Sequence, residues 1–355
     1  MIRVCYASPT SIDTPSFYRG WGPLCALAHK MPNLALYQNN QFNWSNVRLG
    51  NIFAFARNFT DGCVEAMEMC KAQKKFVWVD YDDSFVHIPE TNPNAKDLKK
   101  CHLNLRSIMY LADIITVSTK ELAQDFNGVK DKVFVIPNAY DDDTFGPFPN
   151  EPEKRNKYVL WRGSATHDED LSPIAHELVT LANSKTCEGW KFIFMGHNPI
   201  FITSLIREER VKVIEALDII KYFGRLNSLA PSIMIVPLKD NQFNRCKSNI
   251  AWIEGTYAGA MTIASDLPEF RRQGVQLSDQ SVFVRDLSQA IRRVNEDDTY
   301  VSQHWKLSRD DIVANNLLSG VNNARYSIIS AAAKACGVEG LSRSSYIIGR
   351  GTLFR

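Results

Sequence analysis

Short apolar runs alternate with stretches of helical period along most of the chain. IRVCY (2–6), NIFAF (51–55), FVWV (76–79), IITV (114–117) and VFVI (133–136) have the length and content of strands. Between them, 24–30, 61–74 and 97–111 read as helices. Ser118-x-x-Glu121 predicts a capping box that opens another helix. A second series follows, with strands at YVLW (158–161), KFIFM (191–195), SIMIV (232–236) and MTIA (261–264). Ser172-Pro173 predicts a helix start running to about Ala182, and 286–295 and 310–335 also read as helices. Alternating β and α with short strands predicts parallel α/β sheets.

Between the two series lies GPFPNEPEKRNK (146–157), with three prolines and mixed charge, the best linker candidate. The chain therefore divides into two Rossmann-like halves, 1–150 and 157–325. Residues 326–355 form a terminal helix and basic tail, expected to return to the first half.

Composition narrows the classes. The chain has 355 residues, 45% hydrophobic and 23% charged, with formal net charge +2. That is globular, and it does not by itself mark a nucleic-acid binder. Eight cysteines without a C-x-x-C pair argue against a zinc site or disulfide framework and fit a reducing cytoplasm. The start MIRVCYASPTS has no apolar run suited to a signal peptide, and no window approaches the ~20 apolar residues of a membrane span. The sequons at Asn43 and Asn58 then carry little weight.

Sheets of this kind bind ligands beyond the carboxyl ends of their strands. That directs attention to Asp80, Asp82 and Asp83, to Arg162, Gly163 and Ser164, to the GHNP loop (196–199), and to 244–254. The last stretch predicts one helix carrying Lys247 in its first turn and Glu254 two turns on, facing the same way. A solvated salt-bridge face is the bland account of such a pair. Lysine in a first turn opposes the helix dipole, and phosphate binding would explain it.

ADIITVSTKEL (112–122), VFVIPNAYDDDTF (133–145), VLWRGS (159–164) and FNRCKSNIAWIEGTYAGAMTIAS (243–265) together resemble the large retaining family of GT-B glycosyltransferases, the sucrose and glycogen synthase and bacterial mannosyltransferase type. The resemblance spans roughly residues 110–270. It implies two facing Rossmann-like domains around a deep cleft, the first holding acceptor and the second a UDP- or GDP-sugar, with no tightly bound cofactor and no metal.

Residue by residue, Arg162 and Lys247 match a diphosphate clamp, with Gly163, Ser164, Asn244 and Ser248 beside it. Glu254 matches the second Glu of an E-x7-E motif that holds ribose. The first Glu would fall at Cys246 or Lys247, and NRCKS (244–248) instead matches an N-x-x-K-S branch. Phe223 falls where the family contacts the nucleobase, and His197 lies on a donor-side loop, with His167 on another. Arg19 lies where relatives have a loop near donor phosphate and acceptor. Asp80, Asp82 and Asp83 are expected on the acceptor side as catalytic candidates with Arg19, one Asp hydrogen-bonding or deprotonating the acceptor hydroxyl, although Asp80-Tyr-Asp82 also reads as a metal-binding D-x-D.

Charge grows on a diphosphate leaving group as the glycosidic bond breaks, so fixed cations there stabilise the transition state more than the ground state. The SPTSIDTPSFYRGWGPL start and VDYDDSF segment resemble phage-encoded glycosyltransferases, a resemblance that implies a cytoplasmic protein, in the host cytoplasm for a phage-encoded chain. That resemblance makes a hydroxymethylated pyrimidine in double-stranded DNA one candidate acceptor. A cell-surface polysaccharide or small molecule is the other. The rivals are an epimerase or phosphorylase on the same fold, and a non-catalytic sugar-nucleotide or nucleic-acid binding module. Oligomeric state is not legible.

Overall fold

The computed structural model describes residues 1–7, 14–39, 44–57, 60–92, 95–100, 102–297 and 299–338. The sequons at Asn43 and Asn58, part of the SPTSIDT stretch and the basic tail from Leu341 lie outside the described residues.

Strands β1 (Ile2–Ala7), β2 (Leu34–Asn39), β3 (Ile52–Ala56), β4 (Phe76–Tyr81), β5 (Ile114–Val117) and β6 (Val133–Val135) form one sheet, in the order β2-β1-β3-β4-β5-β6. Strands β7 (Asn156–Arg162), β8 (Lys191–Gly196), β9 (Val211–Glu215), β10 (Pro231–Val236), β11 (Met261–Ser265) and β12 (Val275–Ser278) form the other, in the order β12-β11-β10-β7-β8-β9. Every pairing is parallel. Helices cover both faces, which is why the central strands are apolar on both sides. In β4, Val77, Val79 and Tyr81 enter one core with Phe53, Phe55 and Met67. Trp78 enters the opposite core with Val4, Tyr6 and Leu24.

Three strands carry no sequence signal: β2, β9 and β12. Each lies at a sheet edge, where one flank faces water and polar residues intrude. The stretch expected as a helix over 97–111 is helical at every described position, Ala95–Lys100 and His102–Leu111. The cap expected at Ser118 sits one residue later. Thr119 Oγ1 accepts from the Leu122 amide at 3.1 Å, while Ser118 Oγ donates to the Asp82 carbonyl at 2.9 Å.

The helix expected over 310–335 is two, Thr299–Asn315 and Leu318–Ala335. The chain crosses between the two sheets at the break. Asn316 Nδ2 donates to the Asn138 carbonyl at 2.9 Å, and the Tyr140 amide donates to the Asn316 carbonyl at 2.8 Å. Beyond the break, Ile328, Ile329, Ala332 and Ala333 are buried against Ile2, Val4 and Tyr6 of the first sheet. Among the described residues, no helix is long and apolar enough to cross a membrane.

Candidate functional site

The carboxyl ends of both sheets open onto one cavity of about 390 Å³. Its floor on the second-sheet side is the switch point between β7 and β10, from which chains leave in opposite directions. Arg162, Ser164, His167, Pro237, Lys247, Ser248 and Glu254 line that side, and Tyr18, Arg57, Asp82, Asp83 and Asn138 line the other. Gly163 lies in the crossing of two loops: its amide donates to the Met195 carbonyl at 3.0 Å. Gly196, at φ +96°, passes so close that a Cβ there would stand 2.6 Å from the Gly163 carbonyl oxygen. Gly163 therefore sets the loop, and its N–H is already spent.

Glu254 is 2% exposed yet fully satisfied. Tyr18 donates to Oε1 at 2.7 Å, Tyr222 donates to Oε2 at 2.8 Å, and Arg162 Nε stands 2.6 Å from Oε2. The Arg162 contact is an ion pair off the hydrogen-bond axis, and Arg162 Nη2 is buried with no hydrogen-bond partner in the protein. Burial works against the guanidinium charge, but Glu254 outweighs it and holds Arg162 protonated. Burial, and then the Glu254 charge, push both phenols well above the usual tyrosine range, so they remain donors.

Lys247 does not share a helix with Glu254. The helix Gln242–Arg245 ends, four residues intervene, and a new helix runs Ile250–Tyr257. The first sheet's half pulls the link open. Thr119 Oγ1 donates to the Cys246 carbonyl at 2.9 Å, Lys247 Nζ reaches Asp83 at 3.4 Å, and Asn138 Nδ2 donates to Ser248 Oγ at 2.8 Å. Lys247 Nζ also lies 4.6 Å from the Phe243 ring centre. Lys247 and Ser248 thus stand just ahead of a helix N-terminus, whose free amides favour an anion. The two-turn spacing was not what aligned the pair.

The aspartates take separate partners. Asp80 is 6% exposed and forms a two-pronged pair with Arg19, itself 2% exposed, at 3.0 and 2.8 Å. Thr116 Oγ1 also donates to Asp80, and Arg19 Nη1 donates to the Ile136 carbonyl and to Asn138. Asp80 was expected on the acceptor side, and Arg19 near donor phosphate and acceptor. They are instead consumed by each other beneath the cleft, although Arg19 touches its wall.

Asp82 meets Arg57 Nε at 3.1 Å, and Arg57 holds a left-handed φ of 55° at the end of β3. Burial pushes Asp82 up to about 6, against the pull of Arg57. Burial also raises Asp83, but Lys247, Arg57 and His167 outweigh it and hold Asp83 below the usual carboxylate value. Among the described residues, no three His, Cys, Asp or Glu side chains are grouped to hold a metal ion, and Asp80 and Asp82 do not act as a pair.

Three further expectations change. His197 lies off the cavity, with Nε2 3.0 Å from Asp168. Phe223 is 1% exposed, in a cluster with Phe17, Tyr18 and Phe145, so it offers no face to a nucleobase. Asn244 is buried, and its Nδ2 donates to Asp170 Oδ1 at 2.7 Å and to the Lys239 carbonyl at 3.0 Å. Ser164 does line the cavity, 2.7 Å from Thr166. Sequence reasoning passed over Tyr18, Tyr222 and Arg57 and left His167 unassigned. Neither the left-handed backbone of Arg57 nor the contacts of Tyr18 and Tyr222 are visible in the sequence; they appear only in the folded chain.

No protein-family model matches the chain, and no curated protein matches it in sequence. Solved structures match it in shape. Crystal structures include a glycosyltransferase from Rickettsia africae, 12% identical over 94% of this chain and 99% of that one, with a TM-score of 0.66. HepE from Anabaena, in complex with UDP, is 13% identical over 93% of this chain and 100% of that one, with a TM-score of 0.62. TarM from S. aureus, in complex with UDP and α-GlcNAc-glycerol, is 12% identical over 78% of this chain, with a TM-score of 0.58. This chain spans only 55% of that TarM chain. At these identities the shared property is the fold. Two parallel six-stranded sheets with flanking helices, facing across one cleft, give this chain the GT-B fold.

Proposed function

We propose that this protein transfers a sugar from a nucleotide-sugar donor to an acceptor hydroxyl. One observation carries the reading: Arg162, at the end of β7, and Lys247, in the link ahead of helix Ile250–Tyr257, line a single cavity at the switch point. Fixed cations and free helix amides suit a diphosphate, and they act most strongly when it departs as an anion. In this reading Arg162 Nη2 and Lys247 Nζ hold the diphosphate and Ser248 borders it. Glu254 takes a ribose hydroxyl once Tyr18 gives up its bond. UDP is the favoured nucleotide, since structural neighbours hold it.

The acceptor enters from the side of Asp82 and Asp83. Both cations deeper on that side are matched with carboxylates, Arg19 with Asp80 and Arg57 with Asp82. A wall of that charge suits a neutral glycan or small hydroxyl better than the phosphates of double-stranded DNA. Retention at the anomeric carbon is proposed with it, from the resemblance of residues 110–270 to retaining enzymes.

The test is UDP release from UDP-sugars in the presence and absence of glycan, small-alcohol and hydroxymethylated-DNA acceptors, with the product anomer read by NMR. Acceptor-dependent release with sugar transfer supports the reading. Epimerised donor without transfer would replace it with an epimerase, and binding without turnover would replace it with a binding module.

A further inference from the structure

We infer that His167, held in place by Asp170 and Asn244, is a third diphosphate-contacting residue of this cleft and meets the donor as its imidazolium. This rests on the donor-site reading above. His167 lines the cavity with Arg162 and Lys247. Its Nδ1 lies 2.9 Å from Asp170 Oδ2. Asp170 is 5% exposed, and its other oxygen accepts from the Lys239 amide at 2.9 Å and from Asn244 Nδ2 at 2.7 Å. A buried carboxylate so fixed needs a donor on Oδ2, which places the proton on Nδ1. Nε2, on the opposite edge of the ring, is the nitrogen left for a ligand. Gly163 lets the Trp161 and His167 rings pack beside the loop: a Cβ there would stand 2.6 Å from Trp161 Cζ2 and 3.2 Å from His167 Cδ2.

Charge decides what happens there. Burial pushes His167 below its usual value. Lys247 and Arg162 push the same way, against Asp170, and Asp83 also interacts with it across the cleft. The free imidazole is therefore neutral near pH 7. A diphosphate arriving between Arg162 and Lys247 neutralises the two cations that add to the effect of burial and places negative charge beside the ring. The imidazole then gains a proton and becomes a donor to the phosphate.

Proton uptake is read by calorimetry of UDP-glucose binding in buffers of different ionisation enthalpy. Its diphosphate diester carries no proton that titrates near neutral pH. UDP and inorganic pyrophosphate serve as second probes. Wild type is expected to take up protons, with affinity falling by up to tenfold per pH unit as pH rises above the free imidazole's titration. His167→Asn should lose the uptake and bind weakly at all pH values. His167→Gln, whose longer side chain carries a non-titrating amide donor to about the place of Nε2, should recover much of the affinity with a flat pH profile. Wild-type binding without proton uptake, or uptake unchanged in His167→Asn, would overturn the assignment while leaving the donor site standing. No binding of any of the three probes would remove both readings together.

Discussion

Tyr18, on the first helix of the chain, donates a 2.7 Å hydrogen bond to Glu254, which lies 236 residues away in the other half. With Tyr222 and Arg162 it completes the shell of a buried carboxylate. The contact ties the two halves together at the wall of the cleft, and it sits on the residue expected to hold ribose. Tyr18→Phe should therefore cost about 1–3 kcal/mol in urea unfolding, as a buried acceptor loses a donor. The same change should tighten UDP-sugar binding if Tyr18 must first release Glu254. A weaker affinity would mean that Tyr18 helps to form the site.

Lys247 meets Asp83 at 3.4 Å and the Phe243 ring at 4.6 Å, both at the cavity wall, so its removal should cost the fold little and strike the donor. A UDP-sugar at a hundred times its dissociation constant stabilises wild type by ~2.7 kcal/mol. In a thermal-shift panel of UDP-, GDP-, ADP- and dTDP-sugars, one donor should stabilise wild type and not Lys247→Ala. Equal shifts in both proteins would remove Lys247 from the site.

Asp80 and Arg19 form a buried pair, and Arg325 lies close by, its guanidinium pushed down to about 9 by burial and by Arg19. Asp80→Asn would leave two buried cations without a carboxylate, at a cost of about 3–5 kcal/mol by unfolding. A catalytic base would behave otherwise, losing turnover while keeping stability.

Asp82 bears a pH signature. Its folded value, about 6, lies above the ordinary 3.8, so the folded state keeps a proton that the unfolded chain has released. That contribution to stability is full below the ordinary value and is lost as pH rises toward 6. Asp82→Asn lacks the titration. Its stability relative to wild type should therefore climb between about pH 4 and about pH 6 and then level off. Paired urea titrations across that range check the slope, and a flat difference would contradict it.

Each cleft aspartate faces its own cation, Asp82 against Arg57 and Asp83 against Lys247. EDTA should accordingly leave most turnover intact. Complete loss, restored by Mn²⁺, would show that the aspartates regroup around a metal when substrates bind.

The central strands of both sheets were legible because parallel strands covered by helices must be apolar on both faces, and FVWV or SIMIV can be little else. Their alternation with helices implied two parallel sheets, and the resemblance of residues 110–270 to GT-B glycosyltransferases implied that they face each other. The edge strands β2, β9 and β12 were hidden because half-exposed positions admit polar residues. Helix breaks were hidden for another reason. Local periodicity runs straight through 246–249 and through Asn316, and long-range bonds open both, from Thr119, Asp83 and Asn138 in one case and from Tyr140 in the other. The candidate site divides the same way. Residue type and place in the motif drew attention to Arg162, Lys247 and Glu254, because cations and a carboxylate after a strand are visible in one dimension. Which histidine faces the cleft, which aspartate is spent on an arginine, and which tyrosines enclose Glu254 depend on groups brought together from distant parts of the chain, and only the tertiary structure decides them.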